Sequence, residues 1–363
     1  MSLVLEKLKD AARTRWSEIL KPSQKAVELV HSKNLHSQDS VRLVPIASGK
    51  GGVGKTNMAV NLSIAAGLKF VGTKKRVLLI DGDLGMPSTD IVLGIRPNIS
   101  INNLIEKTID DIDKLITATR FPQLDFIAGA EEASLILGNL YYQQRRSLMG
   151  QISKVNAELV IFDLGASASK EVLDFFSMTS SGIVVLNPEP SSIRDGYIFI
   201  KNALIRRIRS EFESLSEYKS EFDRLNTVAR GNFQILAQNV EKVGSKELRE
   251  IWNTALSRFK PMIIINRVET LSEGLQTARK FVKNAESLLG IKIFYLGSVM
   301  RDEAVVRAVR TQCPFRIADP KCQASRSIDM IANNLLSNKE LDLSDNFLSL
   351  GRIFTSRLLG RPI

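Results

Sequence analysis

Ser48-Gly49-Lys50-Gly51-Gly52-Val53-Gly54-Lys55-Thr56-Asn57 lies between a strand-like run, Val41 to Ala47, and a helix-forming stretch, Met58 to Leu68. Gly49, four intervening residues and then Gly54-Lys55-Thr56 reproduce the spacing G-x-x-x-x-G-K-[ST] in the strand-then-helix setting that gives such a match its meaning. Glycines let the backbone turn so that successive N–H groups converge on phosphate oxygens, and the helix that follows adds the partial positive charge of its N-terminus. Lys55 is placed to reach the terminal phosphates, and Thr56 to offer a hydroxyl to Mg²⁺. A glycine-rich turn that binds nothing is the bland alternative, and the full pattern with both flanks argues against it.

Working outward, Val77-Leu78-Leu79-Ile80 is a continuous apolar run suited to a strand buried on both faces, and it ends at Asp81-Gly82-Asp83. Glu158 to Gly165 repeats the form, with apolar residues delivering Asp163 and then Gly165. Ligands of open parallel sheets bind beyond the carboxyl ends of the strands, so these carboxylates are placed to face the phosphates and the metal. Leu124–Gly129, Ser181–Pro190, Met262–Arg267 and Ile293–Gly297 read as further strands, with Ser100–Leu115 and Leu140–Val155 as helical connections. The fold class expected is α/β, a mostly parallel sheet flanked by helices. Asn266, leaving such a strand, offers an amide suited to the donor and acceptor edge of adenine; capping a turn is its alternative use.

The second lysine sharpens the picture. Lys50-Gly51-Gly52-Val53-Gly54-Lys55-Thr56 resembles the deviant Walker A loop of the MinD/ParA family of dimerising ATPases. The resemblance implies ATP and Mg²⁺ as cofactors and an ATP-dependent homodimer. It also implies that Gly49 through Asn57 contact nucleotide and that Lys50 crosses to the nucleotide held by the partner subunit. IDGDLGMPSTDIVLG resembles the first switch of that family, which assigns Asp83 to orienting the attacking water and Asp81 to the magnesium shell beside Thr56 and Asp163. Gly165 then belongs to the second switch, where contacts to the γ-phosphate vanish on hydrolysis. The segment NPEPSSIRDGY is similar to one near the family's dimer face, making Glu189 and Arg194 candidates there, and IINRV resembles its base-recognition segment, bringing in Asn266 and Arg267. DLGAS and Asn57 are closer to the flagellar-number regulators of the FlhG/FleN branch, which implies a partner GTPase or transcription activator. A nucleoid-binding partition ATPase of ParA type stays open beside it. An iron–sulfur carrier of the related Mrp type is poorly supported, because its C-x-x-C is missing.

Composition bounds the rest. With 363 residues, 44% of them hydrophobic, the chain can fill one large α/β domain with appendages. No run of eighteen apolar residues occurs and Met1 to Leu20 is charged throughout, so neither a membrane span nor a secretory signal is expected, and the expected location is cytoplasmic. The formal net charge of +11 favours a polyanionic partner, DNA or an anionic membrane face. Cys313 and Cys322 read as free thiols. Residues 1–40 form an amphipathic helical arm and linker, 41–338 the ATPase domain with a helical insertion at about 197–261, and 339–363 a flexible tail. In that tail Phe347, Leu350, Phe354 and Leu358 share a helical face bordered by arginines, the pattern of an interfacial anchor at the inner face of the cell membrane; docking on the protein's own surface is the other use of such a stripe. Arg206, Arg207 and Arg209 in the insertion are read as a solvated basic face, with phosphate or acidic lipid as the alternative.

Overall fold

The computed structural model describes residues 41–83, 87–129, 142–212, 216–339 and 343. The N-terminal arm and the tail stripe of Phe347, Leu350, Phe354 and Leu358 lie outside the described residues. In chain order the elements are β1 (Arg42–Ser48), α1 (Lys55–Lys69), β2 (Val77–Gly82), α2 (Thr89–Leu93), α3 (Ile101–Ile105), β3 (Thr117–Ala118), β4 (Leu124–Ile127), α4 (Tyr142–Ile152), β5 (Leu159–Ala166), α5 (Lys170–Ser177), β6 (Ile183–Leu186) and α6 (Pro190–Glu211). They continue with α7 (Ser216–Ala229), α8 (Phe233–Val243), α9 (Lys246–Arg258), β7 (Met262–Val268), α10 (Leu271–Leu289), β8 (Phe294–Met300), α11 (Glu303–Arg310), α12 (Phe315–Ala318) and α13 (Gln323–Leu336).

Eight strands form one sheet in the order β3-β4-β2-β5-β1-β6-β7-β8, parallel except for the β3–β4 edge pair. Apolar runs without polar alternation are what such a sheet needs, because helices cover both of its faces. Alternation of side chains across the pleat then sorts each run between two cores. Val44, Ile46, Leu79, Ile161, Val185 and Ile264 face α1 and α13. Ala47, Ile80, Phe162, Leu186 and Ile265 face the other layer, which holds α4 to α10.

Register matters most at the centre. β5 lies between β1 and β2, with Ile46 opposite Asp163 and Asp163 opposite Asp81. Three strand ends, and with them the phosphate loop and both aspartates, therefore emerge side by side. The chain leaves β1 on one side, through α1 to β2, while β6 pairs on the other, so the crevice between them is the topological switch point where such sheets bind ligands.

Where the elements depart from expectation, local chemistry explains it. Ser100–Leu115 is two short helical pieces rather than one; Ser100 closes a capping box with Asn103, and Asp111 caps the second piece, Ile112–Leu115. The insertion is an extension of the sheet's own helix, since α6 runs unbroken from Pro190 to Glu211 before the chain turns into α7, α8 and α9. Helix α8 is an element the sequence reading did not anticipate; Asn232 caps it through bonds from the Gln234 and Ile235 amides. Phe212, Phe222, Trp252 and Phe233 stack in turn to give these helices a core continuous with the main one.

The basic run on α6 corrects the reading of a solvated face. Arg206 pairs with buried Asp174, and Arg207 donates to the carbonyls of Ser177 and Thr179 at 3.0 and 2.7 Å, so two of the three arginines bind α5 to α6. Burial lowers the pKa of the Arg207 guanidinium, outweighing the opposite effect of the Glu211 carboxylate 4.0 Å away. Arg209 alone stays at the surface, paired with Asp223 at 3.1 Å. Both cysteines are free thiols, as expected. Among the described residues no helix is long and apolar enough to cross a membrane.

Candidate functional site

Gly54 sits at the N-cap of α1 with φ 91° and ψ 20°, and no side chain caps the helix. Ser169, Asn232, Ser245, Thr270 and Asp302 close the starts of α5, α8, α9, α10 and α11 with side-chain acceptors. The first turn of α1 thus keeps its amides for something other than a side chain, the arrangement that receives an anion. Gly49 is required for a different reason: a Cβ there would meet the Asp195 carbonyl of α6 at 2.3 Å, so the loop is pressed against the element after β6.

Two lysines of this loop have different partners and different burial. Lys55, almost wholly buried, places Nζ 2.6 Å from Asp163 Oδ1 and 3.5 Å from Thr56 Oγ1. Lys50 stays at the rim, where Nζ lies 2.9 Å from both Glu189 Oε2 and Ser191 Oγ. Lys50, with Arg267's charge adding a smaller share, holds the Glu189 carboxyl below its usual range.

Asp81 and Asp163 are both buried, and their burdens differ. Asp81 Oδ1 accepts from the Asp83 amide, and Oδ2 from the amides of Ser88 and Thr89, each at 3.0 Å. Burial first, and the neighbouring Asp163 charge second, push its pKa up to about 6. Two carboxylates so close have one buried cation, Lys55, between them and the loop, and the surplus negative charge with hydroxyl oxygens nearby suits a hard, oxygen-seeking cation. Among the described residues no cluster of three or more His, Cys, Asp or Glu could hold a metal alone. That donor set fits Mg²⁺, which is typically held by one or two carboxylates together with substrate phosphates and water. Thr56, Asp163 and Asp81 are the residues that would hold it.

The remaining expected residues fall around the same crevice. A Cβ on Gly165 would lie 3.3 Å from Asp83 Oδ1, so the end of β5 runs close to the Asp83 side chain. Asn266 is buried and donates from Nδ2 to the Val53 carbonyl at 2.8 Å, tying the end of β7 to the phosphate loop. Its neighbour Arg267 has φ 58° at an irregularity in the β7–β8 pairing, which turns its side chain out to solvent on the Glu189 side. Arg194 is exposed and pairs with Asp195. Sequence reasoning missed Thr89, fully buried with Oγ1 3.2 Å from Asp163 Oδ2; a lone threonine belongs to no motif that would single it out, and only the tertiary contact with β5 reveals it.

A doubly wound sheet with an uncapped glycine loop, a buried lysine and two strand-end carboxylates defines a P-loop nucleotide-binding protein. The chain matches the model of the CobQ/CobB/MinD/ParA nucleotide binding domain over residues 44–315 and belongs to that family, whose MinD/ParA members are P-loop ATPases. It is 24% identical over 303 residues to the antiactivator FleN of Pseudomonas aeruginosa, covering 84% of this chain and 89% of that one. It is also 24% identical over 308 residues to the flagellum site-determining protein YlxH of Helicobacter pylori, covering 84% and 85%. Among solved structures, the septum site-determining protein MinD of Pyrococcus horikoshii, complexed with Mg-ADP, superposes with a TM-score of 0.53 at 18% identity, over 81% of this chain and 96% of that one.

Proposed function

We propose that this chain is an ATP-dependent, dimerising ATPase that acts as an FlhG-like regulator of flagellar number or placement. The observation that carries the reading is the placement of two lysines on one loop, Lys55 inside against Asp163 and Lys50 at the rim against Glu189. Lys55, the amides of residues 49–56 and the uncapped start of α1 bind the triphosphate of ATP. Mg²⁺, when bound, would neutralise charge on the phosphoryl oxygens. Asp83 orients the attacking water, which gives ADP and phosphate. Lys50 leaves Glu189 and reaches the nucleotide of a second copy, adding positive charge where negative charge builds. Asn266 retains Oδ1 for the adenine amino group, since its Nδ2 is committed to Val53.

Similarity to an antiactivator and to a flagellum site-determining protein supports a transcription activator or GTPase as the partner class. The tail supplies the membrane contact through Phe347, Leu350, Phe354 and Leu358. One such apolar stripe holds weakly, and pairing two in a dimer raises avidity by roughly 10²–10⁴, which links membrane residence to ATP. Co-sedimentation with anionic vesicles tests this. Binding should be stronger with ATP than with ADP and lost in Phe354→Glu; equal binding with both nucleotides would remove the proposed link.

A further inference from the structure

Asp163 carries a donor on each oxygen. Lys55 Nζ lies 2.6 Å from Oδ1 and Thr89 Oγ1 3.2 Å from Oδ2. Thr89 is fully buried at the start of α2, and its own amide donates to Asp81 Oδ2 at 3.0 Å. One residue therefore grips both strand-end carboxylates: its amide and, to a smaller extent, its hydroxyl act on Asp81, and its hydroxyl meets Asp163. A hydroxyl has a single proton to give and two lone pairs to offer, so its contact with an acceptor-only carboxylate fixes which way that carboxylate's second oxygen faces. We propose that Thr89 is a positioning residue for the metal site, orienting Asp163 and coupling it to Asp81.

The inference rests on the reading of the crevice as a Mg²⁺-nucleotide site. Its chemistry is that of an outer residue aligning a ligand: without the hydroxyl, Asp163 Oδ2 loses a fixed partner in a buried setting, and the carboxylate is free to rotate onto Lys55. Residues in that role alter metal affinity by about 10–100-fold when removed. The effect should fall on the metal and spare the nucleotide, because the phosphates are held by Lys55 and the loop amides, none of which Thr89 touches among the contacts described.

Thr89→Val keeps the shape and deletes the donor; Thr89→Ser keeps the donor and deletes a methyl group. Free Mn²⁺ is titrated by electron paramagnetic resonance into full-length protein with a non-hydrolysable ATP analogue, and analogue binding is measured separately in EDTA. For Thr89→Val the half-saturating Mn²⁺ should rise at least about tenfold, with Thr89→Ser near the parent. Analogue affinity in EDTA should match the parent in both, while the melting temperature without ligand should fall in Thr89→Val, which leaves a buried carboxylate oxygen short of a donor, and stay near the parent in Thr89→Ser. The inference is overturned if Thr89→Val binds Mn²⁺ like the parent, if its analogue affinity in EDTA falls by the same factor, or if Thr89→Ser fails alike. A parent that binds no analogue at all overturns the nucleotide reading as well, which separates the two failures.

Discussion

Lys50 and Lys55 sit on one glycine loop and live in different media. The inner lysine is 5% exposed against a carboxylate that is 1% exposed; the outer one keeps 30% of its side chain in solvent, beside a glutamate keeping 58%. An ion pair cut off from water is strong and costly to break on one side, whereas a surface pair contributes little and exchanges readily. The same charge five residues apart therefore serves two ends: Lys55 is locked to its site, and Lys50 is held loosely enough to be given up. A loop built for binding alone would need only the first.

Substitutions at the two positions should separate accordingly. Lys55→Ala removes one partner of a buried pair and should cost about 3–5 kcal/mol in urea unfolding, besides abolishing ATP binding by isothermal calorimetry. Retained binding would break the contrast at its stronger end. Lys50→Ala should bind ATP within about threefold of the parent, as expected for an exposed pair of small worth, while failing to dimerise. Equal loss of binding in both variants would contradict the division of labour. Asn266→Ala strips the Val53 carbonyl of its buried donor, a loss of about 1–3 kcal/mol, and should weaken GTP through the loop alone and ATP further through the lost adenine contact. Equal losses for the two nucleotides would leave Asn266 a role in holding the loop only. Smallest of all, Glu189→Gln should leave the monomer's melting temperature unchanged, and would sharpen the comparison by easing dimer formation at low ATP.

The sequence carried the sheet and the loop well, for a physical reason. Apolar runs such as Val77–Ile80 have one stable use in a chain of this kind, and the glycine spacing around Lys55 has few structural meanings besides a phosphate cradle. Asp81 and Asp163 were legible as strand-end carboxylates. What could not be read was their unequal load: the amides of Asp83, Ser88 and Thr89 converge on Asp81, and that convergence is a tertiary fact. Thr89 went unnoticed for the same cause. Arg206 and Arg207 misled because three arginines within four positions of α6 look like a solvated stripe until Asp174 and the end of α5 are seen beneath them. The helix α8 was overlooked although Phe233, Leu236, Ala237 and Val240 recur at helical spacing behind the Asn232 cap.

The central matter is whether two copies share their triphosphates. Light scattering coupled to gel filtration, on full-length protein with ATP and Mg²⁺, ADP and Mg²⁺, or neither, answers it. Mass should double with ATP alone and stay that of one chain in the other two conditions, with Lys50→Ala monomeric throughout. A parent protein of the same mass in all three would contradict the shared site and leave Lys50 with no task beyond its bond to Glu189.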